Sequence, residues 1–185
     1  MQPSSFPAHL TAQYGAARAQ LATDDVLVLL HIGPEQTAIA VGHGAMPDAT
    51  LTLAIGAQKT AHEYFKHTPP SPLEIETAIV TVEDEVTRAR SLMPSNARLV
   101  TTDPAIREIA LLSGTASSEV MRLPLEAMER TFDRLAQVSL GRPASSDTLP
   151  ASTPFAATLL ILREFMHHLQ FADITVLPAD AQLIP

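Results

Sequence analysis

Asp25-Val26-Leu27-Val28-Leu29-Leu30-His31-Ile32-Gly33-Pro34-Glu35-Gln36-Thr37 is the stretch on which the fold turns. Val26 to Leu30 is apolar without a break and short, which predicts a strand covered on both faces. Gly33-Pro34-Glu35-Gln36 stops it, and Thr37 to Val41 resumes as a second strand. Gly42-His43-Gly44 and Pro47-Asp48 mark a turn region. Thr50-Leu51-Thr52-Leu53-Ala54-Ile55 then alternates polar with apolar, the period of a half-buried strand. Three strands with short connections predict an antiparallel meander.

The pattern changes on both sides of this block. Upstream, Ser5-Phe6-Pro7 reads as a helix start, with Leu10, Tyr14, Ala17 and Leu21 on one stripe. Downstream, a short helix is expected near Gln58 to Lys66, stopped by Pro69-Pro70. Ser71-Pro72-Leu73-Glu74 has the form of a capping box with proline at the first helical position. Ile75, Ile79, Val82, Val86, Ala89 and Met93 then follow the steps of one helical face. Ala97 to Thr102 reads as a strand, and Asp103 is the expected cap of a helix opened by Pro104. Val120 to Leu123 is a candidate short strand before a helix starting at Pro124, and Gly141 to Pro150 is a loop. A last helix begins at Thr153-Pro154, with Phe155, Leu159, Leu162, Met166 and Leu169 on its face. Asp173 to Leu177 closes as a strand. A meander followed by strand–helix alternation predicts an α/β architecture, a mixed five-stranded sheet with helices on both faces. Chemistry in such sheets gathers at the carboxyl ends of parallel strands, here the breaks after Ile32 and after Val100.

Composition narrows the function. The 185 residues are 46% hydrophobic and 17% charged, enough for one core, and carry a formal charge of −8. An acidic chain is a poor match to a nucleic-acid backbone. With no Cys and no Trp, thiolate chemistry and a cysteine zinc site are excluded. The opening residues lack the basic and apolar regions of a signal peptide, and the longest uninterrupted apolar run is far short of a membrane span. A cytoplasmic protein that binds neither membrane nor nucleic acid is the expectation.

Four segments together resemble the C-terminal actin-like, ribonuclease-H-like lobe of the exopolyphosphatase / guanosine pentaphosphate phosphohydrolase family. His31-Ile32-Gly33-Pro34-Glu35-Gln36-Thr37 sits where that family has an Asp-Ile-Gly-Gly-Gly-Ser-Thr loop. Leu51 to Ala57, followed by Thr68 to Glu74, is similar to its Ser-Leu-x-Leu-Gly-Ala segment and proline-rich helix entry. Leu99-Val100-Thr101-Thr102-Asp103 stands where it has a Gly-Gly-Thr turn. Leu123 to Leu140, continuing into the last helix and strand, resembles its closing region. The resemblance covers roughly residues 25–178. It implies residues 1–24 as an N-terminal helical extension and 25–185 as a single lobe. In the family a second, N-terminal lobe carries the catalytic Glu, so the catalytic residues here are unknown.

The resemblance also implies a phosphate site, with Gly33, Glu35, Gln36, Thr37, Lys59, Thr101 and Thr102 at the corresponding positions, and Mg²⁺ if the family's activity persists. Several positions depart from the pattern, among them the turn, which has become Thr101-Thr102-Asp103. His31 replaces the loop Asp and cannot supply negative charge to a hard cation. Pro34 removes an N–H donor and fixes φ. Glu35 brings a carboxylate, and like charges about 4 Å apart repel by roughly 4 kcal/mol at an effective dielectric near 20. The expectation is therefore a lobe that has lost its phosphate grip, needs no cofactor, and works as a binding or assembly module. A homodimer or a separate partner lobe is expected, with a small phosphate-containing ligand as a further candidate. The alternative is a working phosphoanhydride hydrolase with a rebuilt or partner-completed site.

Among the remaining polar residues, His31 is a candidate metal ligand or acid–base group, although a lone strand-end histidine is ordinarily hydrogen-bonded in place. His9, His43, His62, His67, His167 and His168 lack ligand spacing. Glu83-Asp84-Glu85 reads as a solvated helix face. Arg88, Arg90, Arg98 and Arg107 are candidates to gather as an anion site, and Ser113, Ser117 and Ser118 have no nucleophile-elbow context.

Overall fold

The computed structural model describes residues 8–21 and 24–179. The elements run α1 (Ala8–Leu21), β1 (Leu27–Ile32), β2 (Thr37–Gly42), β3 (Ala49–Leu53), α2 (Ala57–Tyr64), α3 (Pro72–Thr87), β4 (Arg98–Thr101), α4 (Pro104–Leu112), β5 (Met121–Pro124), α5 (Leu125–Ser139), α6 (Thr153–His168) and β6 (Asp173–Val176). They form one sheet of order β3-β2-β1-β4-β6-β5. The meander is antiparallel, β1, β4 and β6 are parallel, and β5 returns antiparallel to β6. The sheet has six strands rather than the expected five. The extra member is the Met121–Pro124 segment, whose alternating burial lets it pair along the outside of β6.

The apolar run of β1 is buried on both faces. Val28, Leu30 and Ile32 enter the large core under the helices, while Leu27 and Leu29 join a smaller cluster with Tyr14 and Ala17 of α1. Helices thus lie on both faces, but unevenly: α1 stands on one, and residues of α2 to α6 contribute to the core on the other. The helix start expected at Ser5-Phe6-Pro7 lies outside the described residues. Helix α6 is more than an amphipathic cover. From Phe155 to Leu162 every side chain is buried, and the helix packs against α2, α3, α4 and α5. A helix apolar all round belongs inside.

The capping box forms: Ser71 accepts from the Glu74 N–H, and the Glu74 carboxylate accepts from the Ser71 N–H. The Glu74 carboxylate also accepts from the Lys66 N–H and pairs with His67. Burial opposes its ionisation, but the Ser71 N–H, His67 and the Lys66 N–H outweigh it and hold its pKa at about 2. No helix is long and apolar enough to cross a membrane among the described residues.

Candidate functional site

The carboxyl ends of β1 and β4 lie side by side because the two strands are parallel neighbours. Near each end stands a polar residue that the core cannot accept unpaired. From β1 comes His31, and just beyond β4 comes Asp103. The His31 Nδ1–H donates to Asp103 Oδ1 at 2.5 Å, and the Ile32 N–H donates to Asp103 Oδ2 at 2.7 Å. The expected role of Asp103 as the side-chain cap of α4 is therefore corrected. It occupies the cap position but makes no cap hydrogen bond, because both carboxylate oxygens reach back to β1. Asp103 is 5% exposed. Its hydrogen bond raises the proton affinity of His31 above that of an ordinary imidazole, against the opposing effect of burial. The ring of His9, on α1, meets the His31 ring edge-on with centroids 6.0 Å apart.

The hairpin between β1 and β2 is folded onto the start of α2. The Gly33 N–H donates to the Gln36 carbonyl. The first three N–H groups of α2 are all taken by the hairpin: Ala57 donates to the Gly33 carbonyl, and Gln58 and Lys59 donate to that of Pro34, at 2.9–3.0 Å. These are the donors a helix start would otherwise offer an anion. Gly56 is pressed against the hairpin so closely that an added Cβ would lie 2.5 Å from Gln36 N and from Glu35 C, and 2.6 Å from Pro34 O. Glycine is required there for close approach of two backbones.

The residues expected at a phosphate site are near one another in the fold but mostly otherwise engaged. Gly33 is buried within the hairpin, while Glu35 and Gln36 are exposed. The Thr37 hydroxyl donates to the Ile55 carbonyl and is fully buried. Lys59 Nζ donates to the Ala54 carbonyl. Thr101 Oγ1 accepts from the Asp103 N–H, and Thr102 is buried. The arginines do not gather: Arg88 pairs with Glu85 and Arg98 with Asp25, Arg90 donates to the His168 carbonyl, and Arg107 donates to the Ser118 and Glu119 carbonyls. A Mg²⁺ ion prefers several carboxylate and water oxygens. The Asp103 carboxylate at this strand end already holds His31 and Ile32. Among the described residues no group of three or more His, Asp or Glu side chains could hold a metal. These residues do not fit Mg²⁺, and among the described residues His31 belongs to no ligand set of three.

The strand order, with its antiparallel meander leading into parallel β1, β4 and β6, defines an actin-like, ribonuclease-H-like lobe. Neither the protein-family models nor the curated protein sequences match the chain. Solved structures do. A Ppx/GppA family member from Aquifex aeolicus superposes with a TM-score of 0.75 at 15% identity, over 93% of this chain and 58% of that one. An exopolyphosphatase-like protein gives 0.69 at 10% identity, over 91% and 62%. An exopolyphosphatase from Cytophaga hutchinsonii gives 0.67 at 13%, over 91% and 60%. The likeness is one of fold. This chain spans about three-fifths of the length of these structures.

Proposed function

We propose that this protein is a single lobe of phosphatase ancestry that does not hydrolyse phosphoanhydrides and serves as a binding or assembly module. One observation carries the reading. The donors that a phosphate would need, the first N–H groups of α2 and that of Gly33, are bonded inside the protein. Gly56 packs against the hairpin so closely that a Cβ added there would lie 2.5–2.6 Å from its backbone. Opening that contact would break the three hydrogen bonds that α2 makes to the Gly33 and Pro34 carbonyls, at roughly 0.5–1.5 kcal/mol each. The His31–Asp103 pair adds to this. An imidazole stands beside the Asp103 carboxylate, so that carboxylate is already matched without a metal.

The test is phosphate release from polyphosphate and from guanosine pentaphosphate with Mg²⁺ or Mn²⁺, on the protein and on Glu35→Gly. Both are expected to release nothing above buffer. Glu35 is exposed, and removing its carboxylate leaves the Gly56 backbone in place. Turnover by the protein alone would overturn the reading. Turnover only after a second lobe is added would establish the partner-completed hydrolase instead.

A further inference from the structure

The hydrogen-bond parity of the meander decides which backbone groups face outward. Gly33 bonds to Gln36, and Gly33 continues the odd positions of β1 that face β2, so the even positions of β2 face β1. The odd positions of β2 therefore face β3, where Val41, Ile39 and Thr37 stand opposite Ala49, Leu51 and Leu53. By alternation, Thr50, Thr52 and Ala54 turn their N–H and C=O groups away from the sheet. Ala54 shows what that edge accepts. Its N–H donates to Glu85 Oε2 and its carbonyl accepts from Lys59 Nζ, both at 2.7 Å. Two side chains thus supply the pair of bonds a neighbouring strand would make. At Thr50 and Thr52 nothing among the described residues does so. A groove of about 390 Å³ runs beside them, bounded by Gln36 and Arg88.

Sheet edges are ordinarily blunted by charge or proline. The opposite edge, β5, carries Arg122 and ends in Pro124. Residues 49–54 carry neither. We propose that β3 pairs with β3 of a second copy of this chain, antiparallel about a two-fold axis at Leu51. That register sets Thr50 opposite Thr52 of the other copy, twice, so that outward groups meet outward groups. It brings together the two half-buried Leu51 side chains, each already packed against its own core. It also sets Asp48, exposed at the start of β3, against the far end of the partner's strand. The side chains of Lys59, Arg88 and Glu85 there sum to one positive charge. A second copy is favoured over an unrelated peptide because this charge match and the Leu51 contact are both self-complementary. Such an edge is isologous and closed, giving a dimer rather than a filament.

The pairing deepens the assembly reading above and can fail without it, since phosphate release does not depend on it. Sedimentation of the full chain between about 5 µM and about 500 µM, the window for a small interface, is expected to show the mass rising toward twice 19.8 kDa. In the same range, hydrogen exchange of the Thr50 and Thr52 amides is expected to slow, with Leu51 and Leu53 unchanged. Thr52→Pro removes one outward donor from each copy and is expected to weaken association by about tenfold or more. Thr50→Lys with Thr52→Lys keeps the backbone donors and opposes like charges across the axis, and is expected to abolish the dimer. A monomer throughout would overturn the proposal. So would a dimer that leaves the Thr50 and Thr52 amides unprotected or survives the lysine pair, or capture of an unrelated extended peptide without self-association.

Discussion

Asp103→Asn isolates the contact that joins the ends of β1 and β4. The asparagine carbonyl still accepts the Ile32 N–H, but its NH₂ group now faces His31 Nδ1 and favours a neutral imidazole that accepts there. What is lost is a hydrogen bond between charged groups at a buried carboxylate. Such a bond contributes roughly 1.5–3 kcal/mol. His31 keeps 30% of its side chain in solvent, which places the loss toward the middle, at about 2 kcal/mol. For a chain of this length each 1 kcal/mol moves the midpoint by about 2–4 °C, so thermal unfolding near pH 6 is expected to begin about 4–8 °C lower. The sign of the pH dependence follows from linkage. The folded protein raises the His31 pKa, so its contribution is complete below the unfolded value of about 6.5 and fades as pH rises through the folded value. The gap between native protein and Asp103→Asn should therefore narrow as pH rises from about 6 through the folded value, without closing, because neutral His31 still donates from Nδ1. The assay is thermal or urea unfolding of both proteins across that range, with His31 followed by proton NMR. A gap that stays constant with pH, or a His31 midpoint unmoved by Asp103→Asn, would refute the reasoning.

Two further substitutions test the frame around this contact. Gly56→Ala places a methyl within 2.5–2.6 Å of hairpin backbone atoms that cannot rotate away. It should cost about 1–3 kcal/mol, as overpacking does, measured by urea unfolding; an unchanged midpoint would mean that the hairpin does not rest on α2. Glu74→Gln keeps the shape of the capping box but removes the carboxylate whose pKa is held at about 2. A lowered carboxylate pKa stabilises above its unfolded value and loses that contribution as pH falls through the folded one. The acid-unfolding curve of Glu74→Gln should thus be flatter between about pH 4.5 and about pH 2, and a curve parallel to the native one would remove Glu74 from the account.

The sheet was legible because its signals are local. Val26 to Leu30 has no polar residue and Thr50 to Ile55 alternates; burial and pairing follow both patterns. The Ser71–Glu74 cap could be read for the same reason, since all its partners lie within a few residues. Two features were not visible. Helix α6 shows an amphipathic stripe, yet the residues between its positions, Ala156, Ala157, Leu160 and Ile161, are also apolar, and that is why it lies inside. The role of Asp103 was hidden by distance. Its partner His31 is 72 positions away, and the local pattern Asp-Pro at a helix start points equally well to a cap.

If the lobe has lost its phosphate grip as proposed, that loss is compatible with the likeness of fold. The strand order depends on alternation and apolar volume, which tolerate extensive substitution while the pattern is kept. A phosphate site depends on a few free N–H groups and on open space beside them. In the proposed reading the site is closed by the contact of Gly56 with the hairpin and by the α2 N–H groups that the Gly33 and Pro34 carbonyls accept. A lobe closed in this way keeps its sheet, including the edge at Thr50 and Thr52, which the closure does not touch.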